Sequence, residues 1–390
     1  MSEWKKVKLK DCCIKIGSGS TPKGGSTVYI DSGTSLIRSQ NVYNLSFDYN
    51  GLTHITEDAA KKLNGVTILK NDILLNITGD SVARTCIVPD DVLPARVNQH
   101  VAIVRVDGKI ISSNYLSYYL ASPKMQAHML SLAVGKGASR NAMTKQMIEN
   151  FEVPCPPIEV QHRIATILSR YDTLIENYQK QIKLLEEAAQ RLYKEWFVEL
   201  RFPGHENTKM VDGLPEGWER KKVGEVAEFK RGKTITKKDA IEGNVPVVAG
   251  GLEPAYYCDK SNTTNRVITI SGSGANAGYT RMYFEKVWAS DCSFADTSTT
   301  DYLHFVFCFL RENKTVIDNM QKGAAQPHVY AKDINALEVL SPINDILNLF
   351  EKKALKIFDI IASKQTQIRL LAEARDRLLP RLMGGFNKTI

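Results

Sequence analysis

The sequence contains no C-x-x-C and no H-x-x-x-H, and its seven cysteines (Cys12, Cys13, Cys86, Cys155, Cys258, Cys292, Cys308) are odd in number and scattered. That spacing argues against a zinc site or a disulfide framework and points to free thiols in a reducing compartment. No uninterrupted apolar run reaches the ~18 residues of a membrane span, and the opening "MSEWKKVKLKDCC" lacks the apolar core of a secretory signal. A cytoplasmic location without a membrane partner is expected. Also missing are G-x-S-x-G, HEXXH and the Asp-Pro-Pro-Tyr and Asn-Pro-Pro-Phe motifs of adenine methylases. These gaps argue against an enzyme.

What is present is a chain of 390 residues, 43% apolar and 24% charged, long enough for two ordinary folded domains. Its net charge of +8 favours a polyanionic partner, because Lys and Arg that neutralise phosphates release condensed counterions. The excess is modest: 18 basic against 13 acidic residues over 1–154, and 16 against 15 over 218–340. A nucleic-acid site would therefore be a folded surface and not a tail.

The chain is a duplication. "EWKKVKLKDCCIKIGSG" returns in outline as "GWERKKVGEVAEFKRG", with Trp4 matching Trp218, and residues 136–156 align without gaps with residues 322–342. After each copy comes a helical pattern. From Pro157 the apolar positions are Ile164, Ile167, Tyr171, Leu174, Tyr178, Ile182, Leu185, Ala189, Leu192 and Trp196, in 3-4 alternation apart from one 4-4 step at Leu174-Tyr178-Ile182. In the second copy Leu347, Phe350, Ala354, Ile357, Ile361, Ile368, Leu371, Leu378 and Leu382 keep the pattern, with Lys364 and Arg375 as polar exceptions. Such seams seek a partner helix, and each predicts the other, with Ile167, Tyr171, Leu174, Ile182 and Leu185 facing Ile357, Ile361, Ile368, Leu371 and Leu378. Helices of about 36–40 residues would be about 55–60 Å long.

Ahead of each helix lie short β-rich runs ("TSLIRSQNV", "GVTILKNDILLNIT", "QHVAIVRV", "VPVVAG", "NRVITIS") interrupted by short helices. The fold class expected is α+β: two similar mixed units, 1–156 and 218–342, separated by long helices over 157–200 and 343–386 that form an antiparallel coiled coil, with a linker at 201–217.

Three motifs imitate catalytic or nucleotide sites. "SGSGANAGYT" holds Gly272-x-Gly274-x-x-Ala277 after an apolar strand, as a dinucleotide fold does, but no 3.6-residue period follows it. Strand-turn-strand fits better, and "DILLNITGDSVARTCIV" is its first-copy counterpart. "RGKT" (231–234) mimics a Walker ending, yet Ala227 stands where the first glycine belongs. Pro89-Asp90 followed by Asp107 and Lys109 imitates the carboxylates and lysine of a PD-(D/E)xK nuclease, which gives the alternative of a self-contained restriction endonuclease.

The remaining loops carry side chains that can read bases: Arg38, Gln40, Asn41, Asn76, Arg84, Asn98 and Gln99 in the first copy, Gln326 and His328 in the second. Arg addresses guanine and Asn or Gln addresses adenine. Lys136, Arg140 and Lys322 suit phosphates, and Ser273, Asn276 and Arg281 could meet a backbone at the glycine loop. Each of these can equally be a solvated loop residue or a satisfied turn residue.

Over essentially its whole length the chain resembles the specificity subunit of type I restriction-modification systems. The resemblance is carried by "CPPIEVQHRIATILSRYDTLIENYQKQIKLLEEAAQRLYKEWFVELRFPG", "LPEGWE", "GAAQPHVYAKDI", "ASKQTQIRLLAEARDRLLPRL" and the duplication. It implies two target-recognition domains, each reading half of a split double-stranded DNA site, with the helix pair as a ruler. It also implies no catalysis and no cofactor in this chain. Two methyltransferase subunits would supply S-adenosylmethionine-dependent adenine methylation, and restriction subunits would use ATP and Mg2+.

Overall fold

Strand-forming runs here are short and bounded by Gly, Asn and Asp, which fixes strand ends more than strand identity. The computed structural model describes residues 4–134, 142–321 and 327–383, and they fall into two compact units. Unit 1 is Met1–Glu176 with Arg369–Ile390, and unit 2 is Asn177–Ile368. The unit boundaries thus lie inside the two long helices, not at their ends. Residues 384–386, assigned above to the second helix, lie outside the described residues.

Unit 1 contains β1 (Lys6–Lys8), β2 (Cys13–Ser18), β3 (Thr34–Ile37), β4 (Ile73–Asn76), β5 (Thr85–Ile87), β6 (Ala95–Val97), β7 (Val101–Val106) and β8 (Glu152–Pro154). A four-stranded antiparallel sheet runs β5-β4-β7-β2, and a five-stranded sheet is built round the parallel pair β3 and β6. β4 and β7 are buried on both faces, which is why they read as unbroken apolar runs. Ile73, Leu75, Ala102 and Val104 face helices α1 (Ser113–Ala121) and α2 (Pro123–Ala133). Leu74, Val101 and Ile103 face the five-stranded sheet, as period-2 alternation requires. The two helices are separated at Ser122-Pro123, where the Ser122 hydroxyl accepts from the Met125 amide and caps α2.

Unit 2 repeats this plan with β9 (Glu219–Lys222), β10 (Lys230–Arg231), β11 (Val245–Val248), β12 (Val267–Ser271), β13 (Thr280–Tyr283), β14 (Trp288–Ala289), β15 (Cys292–Asp296) and β16 (Glu338–Ser341). Its four-stranded sheet runs β13-β12-β15-β10, and its second sheet again centres on a parallel pair, β11 and β14. The antiparallel pair β1 with β8 likewise recurs as β9 with β16.

Each unit owns part of both long helices, α3 (Ile158–Tyr193) and α4 (Asn344–Met383). In unit 1, Ile164 and Leu168 share a core with Leu379, Leu382 and Met383. In unit 2 the helices run antiparallel: the Lys364 ammonium sits 4.8 Å over the Tyr178 ring, while Tyr193 meets Phe350 at 6.2 Å. After α3 the chain makes one π-helical turn (Lys194–Val198) that turns Trp196 and Phe197 into an aromatic cluster. Phe197 lies 4.9 Å from Phe305 and 5.0 Å from Phe350, and Phe202 packs 4.7 Å from Trp218. That cluster gives the segment "EWFVELRFPG" its structural purpose.

The seam differs from the one expected. Ile164, Ala189, Trp196, Leu347, Phe350, Ala354, Ile361 and Leu382 of the predicted pattern are buried, and Ile167, Ile182, Leu185, Ile357 and Leu378 are half-buried against the cores, but Leu174 is 43% exposed and Tyr171, Ile368 and Leu371 are only half-buried. The buried positions include Leu168, Tyr193, Phe358 and Leu379, one residue along from the foreseen seam. An α-helix at 3.6 residues per turn drifts about 20° per heptad against a 3.5 repeat, so neighbours one residue along, such as Leu168 and Phe358, share the contact line with pattern residues.

Candidate nucleic-acid interface

The most specific duplication in the structure is at one end of the four-stranded sheets. In unit 1 the hairpin between β4 and β5 turns through Gly79 (φ +75°), and in unit 2 the hairpin between β12 and β13 turns through Gly274 (φ +78°), the left-handed region that glycine adopts freely. Each turn is clamped from outside by the same segment of the repeat. Met143 N donates to Ile77 O (2.8 Å) and Thr78 bridges Ala142; Val329 N donates to Gly272 O (3.1 Å) and Ser273 bridges His328. "SGSGANAGYT" is therefore strand, one 3-10 turn, strand, with no helix N-terminus to receive a pyrophosphate.

Side chains complete the clamp in matching places. Asn76 Nδ2 donates to Ser39 O (2.8 Å) and Ser271 Oγ to Gly250 O (3.1 Å), tying the hairpin to the loop after β3 or β11. The Thr78 hydroxyl lies 2.6 Å from His100 Nδ1, and the Ser273 hydroxyl donates to the Asp291 carboxylate. Four loops thus converge in each unit, on a frame of backbone hydrogen bonds.

Against this frame the candidates from sequence separate. Asn41, Asn76 and Asn98 are buried and engaged within the chain. Asn41 accepts from the Arg38 amide (3.0 Å) and donates to Asp48 O (2.9 Å); Asn98 Oδ1 accepts from the His100 amide (3.1 Å). Their burial and these bonds make Asn41 and Asn98 loop pins and not free base readers, and Asn76 pins through its Nδ2 while its Oδ1 has no hydrogen-bond partner among the described residues. Gln40 and Gln99 are exposed, and Gln99 accepts from the Thr21 hydroxyl. Arg38 is half-buried and donates to Gly51 O (2.6 Å), while the Arg84 guanidinium lies 4.5 Å over the Tyr43 ring.

In unit 2, Asn276 is half-buried with Nδ2 3.4 Å from Gly250 O, and His328 stacks on Tyr330 (5.9 Å, 12° between planes). Arg281 was placed beside the glycine loop, but it donates to Leu252 O (2.8 Å), pairs with Glu253 (3.5 Å) and covers the Tyr283 ring. By the hydrogen bonds Asn76 N to Arg84 O and Ser271 N to Tyr279 O, the counterpart of Arg84 is Tyr279. Lys136, Arg140, Lys322 and Gln326 lie outside the described residues.

Sequence reasoning missed Thr78, His100, Asp291, Tyr330 and Arg231. The last sits in the Walker lookalike, which is a strand end here. Matching the two hairpins position by position would have exposed the Thr78 and Ser273 pair. The nuclease lookalike separates: Asp90 pairs with Lys70 (2.5 Å), and Asp107 Oδ1 accepts from the amide of Lys109 (3.0 Å) in a local turn. Among the described residues no group of three or more His, Cys, Asp or Glu side chains could hold a metal ion, and no helix is long and apolar enough to cross a membrane.

Comparison with known proteins agrees with this duplication. Residues 1–187 and 215–373 match the family model described as type I restriction modification DNA specificity domain. The chain is 28% identical to the type I restriction enzyme MjaIX specificity subunit of Methanocaldococcus jannaschii, over 98% of this chain and 93% of that one. It is 20% identical to the HindI specificity subunit of Haemophilus influenzae, over 99% and 100%. A crystal structure of the type I restriction-modification S subunit from M. genitalium shares the fold with a TM-score of 0.57 at 15% identity, covering 97% of this chain and 96% of that one.

Proposed function

Because the chain belongs to the type I restriction modification DNA specificity family, we propose that it is the non-catalytic DNA-specificity subunit of such a complex, each unit reading one half of a bipartite duplex site. The observation that carries this reading is the pair of clamped hairpins: two units present the same backbone frame with different side chains on it. A frame repeated with altered chemistry suits two half-sites of different sequence. Exposed Gln40 and Gln99 and half-buried Arg38, Arg84 and His328 supply donors and acceptors at the loop ends.

The long helices fix the separation of the half-sites and dock two methyltransferase subunits, for which the exposed Leu184, Ile360 and Leu370 offer apolar contacts. Restriction subunits join the full complex. S-adenosylmethionine, ATP and Mg2+ are used by those partners, in the cytoplasm. The alternative of a self-contained nuclease would need Asp90, Asp107 and Lys109 in one site, and their local partners support no such grouping.

The test is sequencing of methylated adenines in DNA treated with the chain and its methyltransferase partner, alongside duplex binding at several salt concentrations. A split methylated motif is expected. Equal binding to every duplex, with no methylated motif, would sink the reading.

A further inference from the structure

We infer that Arg231 and Asp291 of unit 2 read one G·C base pair in the major groove; this rests on the DNA-specificity reading above. Both residues line a cavity of about 370 Å³ at the clamped hairpin, together with Ser273, Ser293, His328 and Tyr330. Arg231 ends β10, is exposed, and its guanidinium has no hydrogen bond or ion pair among the described residues. An unengaged fork of donors at a rigid strand end is suited to the O6 and N7 acceptors of guanine.

Asp291 is held in the opposite sense. Its carbonyl accepts from the Gly272 amide (3.1 Å) and its Oδ2 accepts from the Ser273 hydroxyl, which leaves Oδ1 without a donor among the described residues. A carboxylate is acceptor-only, so it matches the N4 amino group of cytosine and opposes the O4 acceptor and methyl group of thymine. One cavity therefore presents a donor fork and a fixed acceptor, the two complements of a G·C pair. The stacked rings of His328 and Tyr330 form part of its wall.

The duplication provides an independent argument. By strand register Arg231 pairs with Ser293 as Ser18 pairs with Ala102, so unit 1 has serine where unit 2 has arginine. Likewise His100 with Thr78 stands where Asp291 with Ser273 stands in unit 2. The backbone positions correspond and the chemistry does not, which is what a specificity-determining position on a repeated scaffold requires.

The experiment uses the full chain in complex with its methyltransferase partner and compares the methylated motif, and binding to duplexes changed one base pair at a time, for wild type, Arg231→Ala, Arg231→Lys, Asp291→Ala and Asp291→Asn. The expected result is a loss of about 10- to 100-fold in discrimination at a single G·C pair of one half-site, with the other half-site unchanged as the sign of a folded chain. Arg231→Lys keeps the charge and loses the fork, so it should relax the same pair. An unchanged motif overturns the inference, as does relaxation at an A·T pair. Equal weakening on all sequences with a shallower salt dependence also overturns it, because that is the behaviour of a phosphate contact. Absence of sequence preference in the wild-type complex would instead refute the function on which the inference rests.

Discussion

Replacing Asp172 with alanine tests why a helix seam should carry an arginine. Arg375 Nη1 lies 2.5 Å from Asp172 Oδ1, and the Tyr118 hydroxyl donates to the other carboxylate oxygen. The side chains of Arg375 and Asp172 are only 17% and 19% exposed, so solvent screens the pair weakly. Burial alone would disfavour the guanidinium charge, but the carboxylate of Asp172 more than offsets it and raises the pKa of Arg375. Removing one partner of a buried pair costs about 3–5 kcal/mol. Arg375 retains Asp376 at 2.9 Å, half exposed, which places the loss near the lower end, about 3 kcal/mol, with about 1 kcal/mol more for the orphaned Tyr118 hydroxyl. Asp172→Asn, which keeps an acceptor, should lose about half as much. The double change Asp172→Leu with Arg375→Leu should return to within about 1 kcal/mol of wild type, since an apolar pair avoids the desolvation of both charges. Hydrogen exchange of α1 and of the α3 and α4 segments in unit 1 reads these changes locally, which matters in a chain of two units. A single-variant loss under about 0.5 kcal/mol, with a double variant equal to the sum of the singles, would refute the reasoning.

Gly232→Ala should destabilise unit 2 by about 3 kcal/mol, because a Cβ there would stand 2.3 Å from Ser290 O and 2.7 Å from Ala289 O, both backbone atoms that cannot rotate away. Gly17→Ala, with open space around it, is the control and should stay within about 1 kcal/mol in urea unfolding; equal losses at both sites would contradict the account. Burial pushes Tyr115, Tyr118 and Tyr193 well above the ordinary tyrosine range and Tyr283 up to about 12. A raised folded-state pKa stabilises fully below the unfolded value of about 10, and that stability is lost as pH rises from there towards about 12. The urea midpoint should begin to fall near about pH 8.5, where unfolded thiols ionise while burial holds Cys86 and Cys292 up at about 12, and fall more steeply above about 10, by up to about 1.4 kcal/mol per pH unit for each such group. A flat midpoint across that range would show these rings ionising freely in the folded chain.

The duplication, the mixed α+β units and the two long helices were all legible in the sequence, because each leaves a periodic or repeated signal. Position within the seam was not. Leu174 and Leu168 satisfy similar patterns, and which of them meets a partner depends on the accumulated rotation of a straight helix. Lys364 and Arg375 looked like defects in the pattern, yet Tyr178 and Asp172 on the facing helix receive them. The loop asparagines misled for another reason. Residue type states what Asn41, Asn76 and Asn98 can bond, but only the fold reveals that backbone carbonyls and amides beside them already do so. Ser18-Gly19 and Arg231-Gly232 close the two matching opening segments, but only strand register shows that both side chains stand beside the clamped hairpin.

Under the proposed function, that register also accounts for how one scaffold would hold two specificities without losing stability. Gly19 N donates to Val101 O (2.9 Å) and Gly232 N to Cys292 O (2.8 Å), while each hairpin is clamped through main-chain atoms of residues 77 and 143, or 272 and 329. Main-chain bonds are indifferent to the side chains carried beside them, so the exposed Ser18 and Arg231 can be exchanged without disturbing a buried contact, whereas His100 and Asp291 change together with their hydroxyl partners Thr78 and Ser273. Surface substitutions of that kind usually change stability by less than about 0.5 kcal/mol, whereas a bidentate base contact changes discrimination by about 1–3 kcal/mol. The second range exceeds the first, so on the proposed reading a change at Ser18 or Arg231 would alter base discrimination at little expense in folding. The pins Asn76 and Ser271 are the opposite case: buried, bonded to Ser39 and Gly250, and bound to resist substitution.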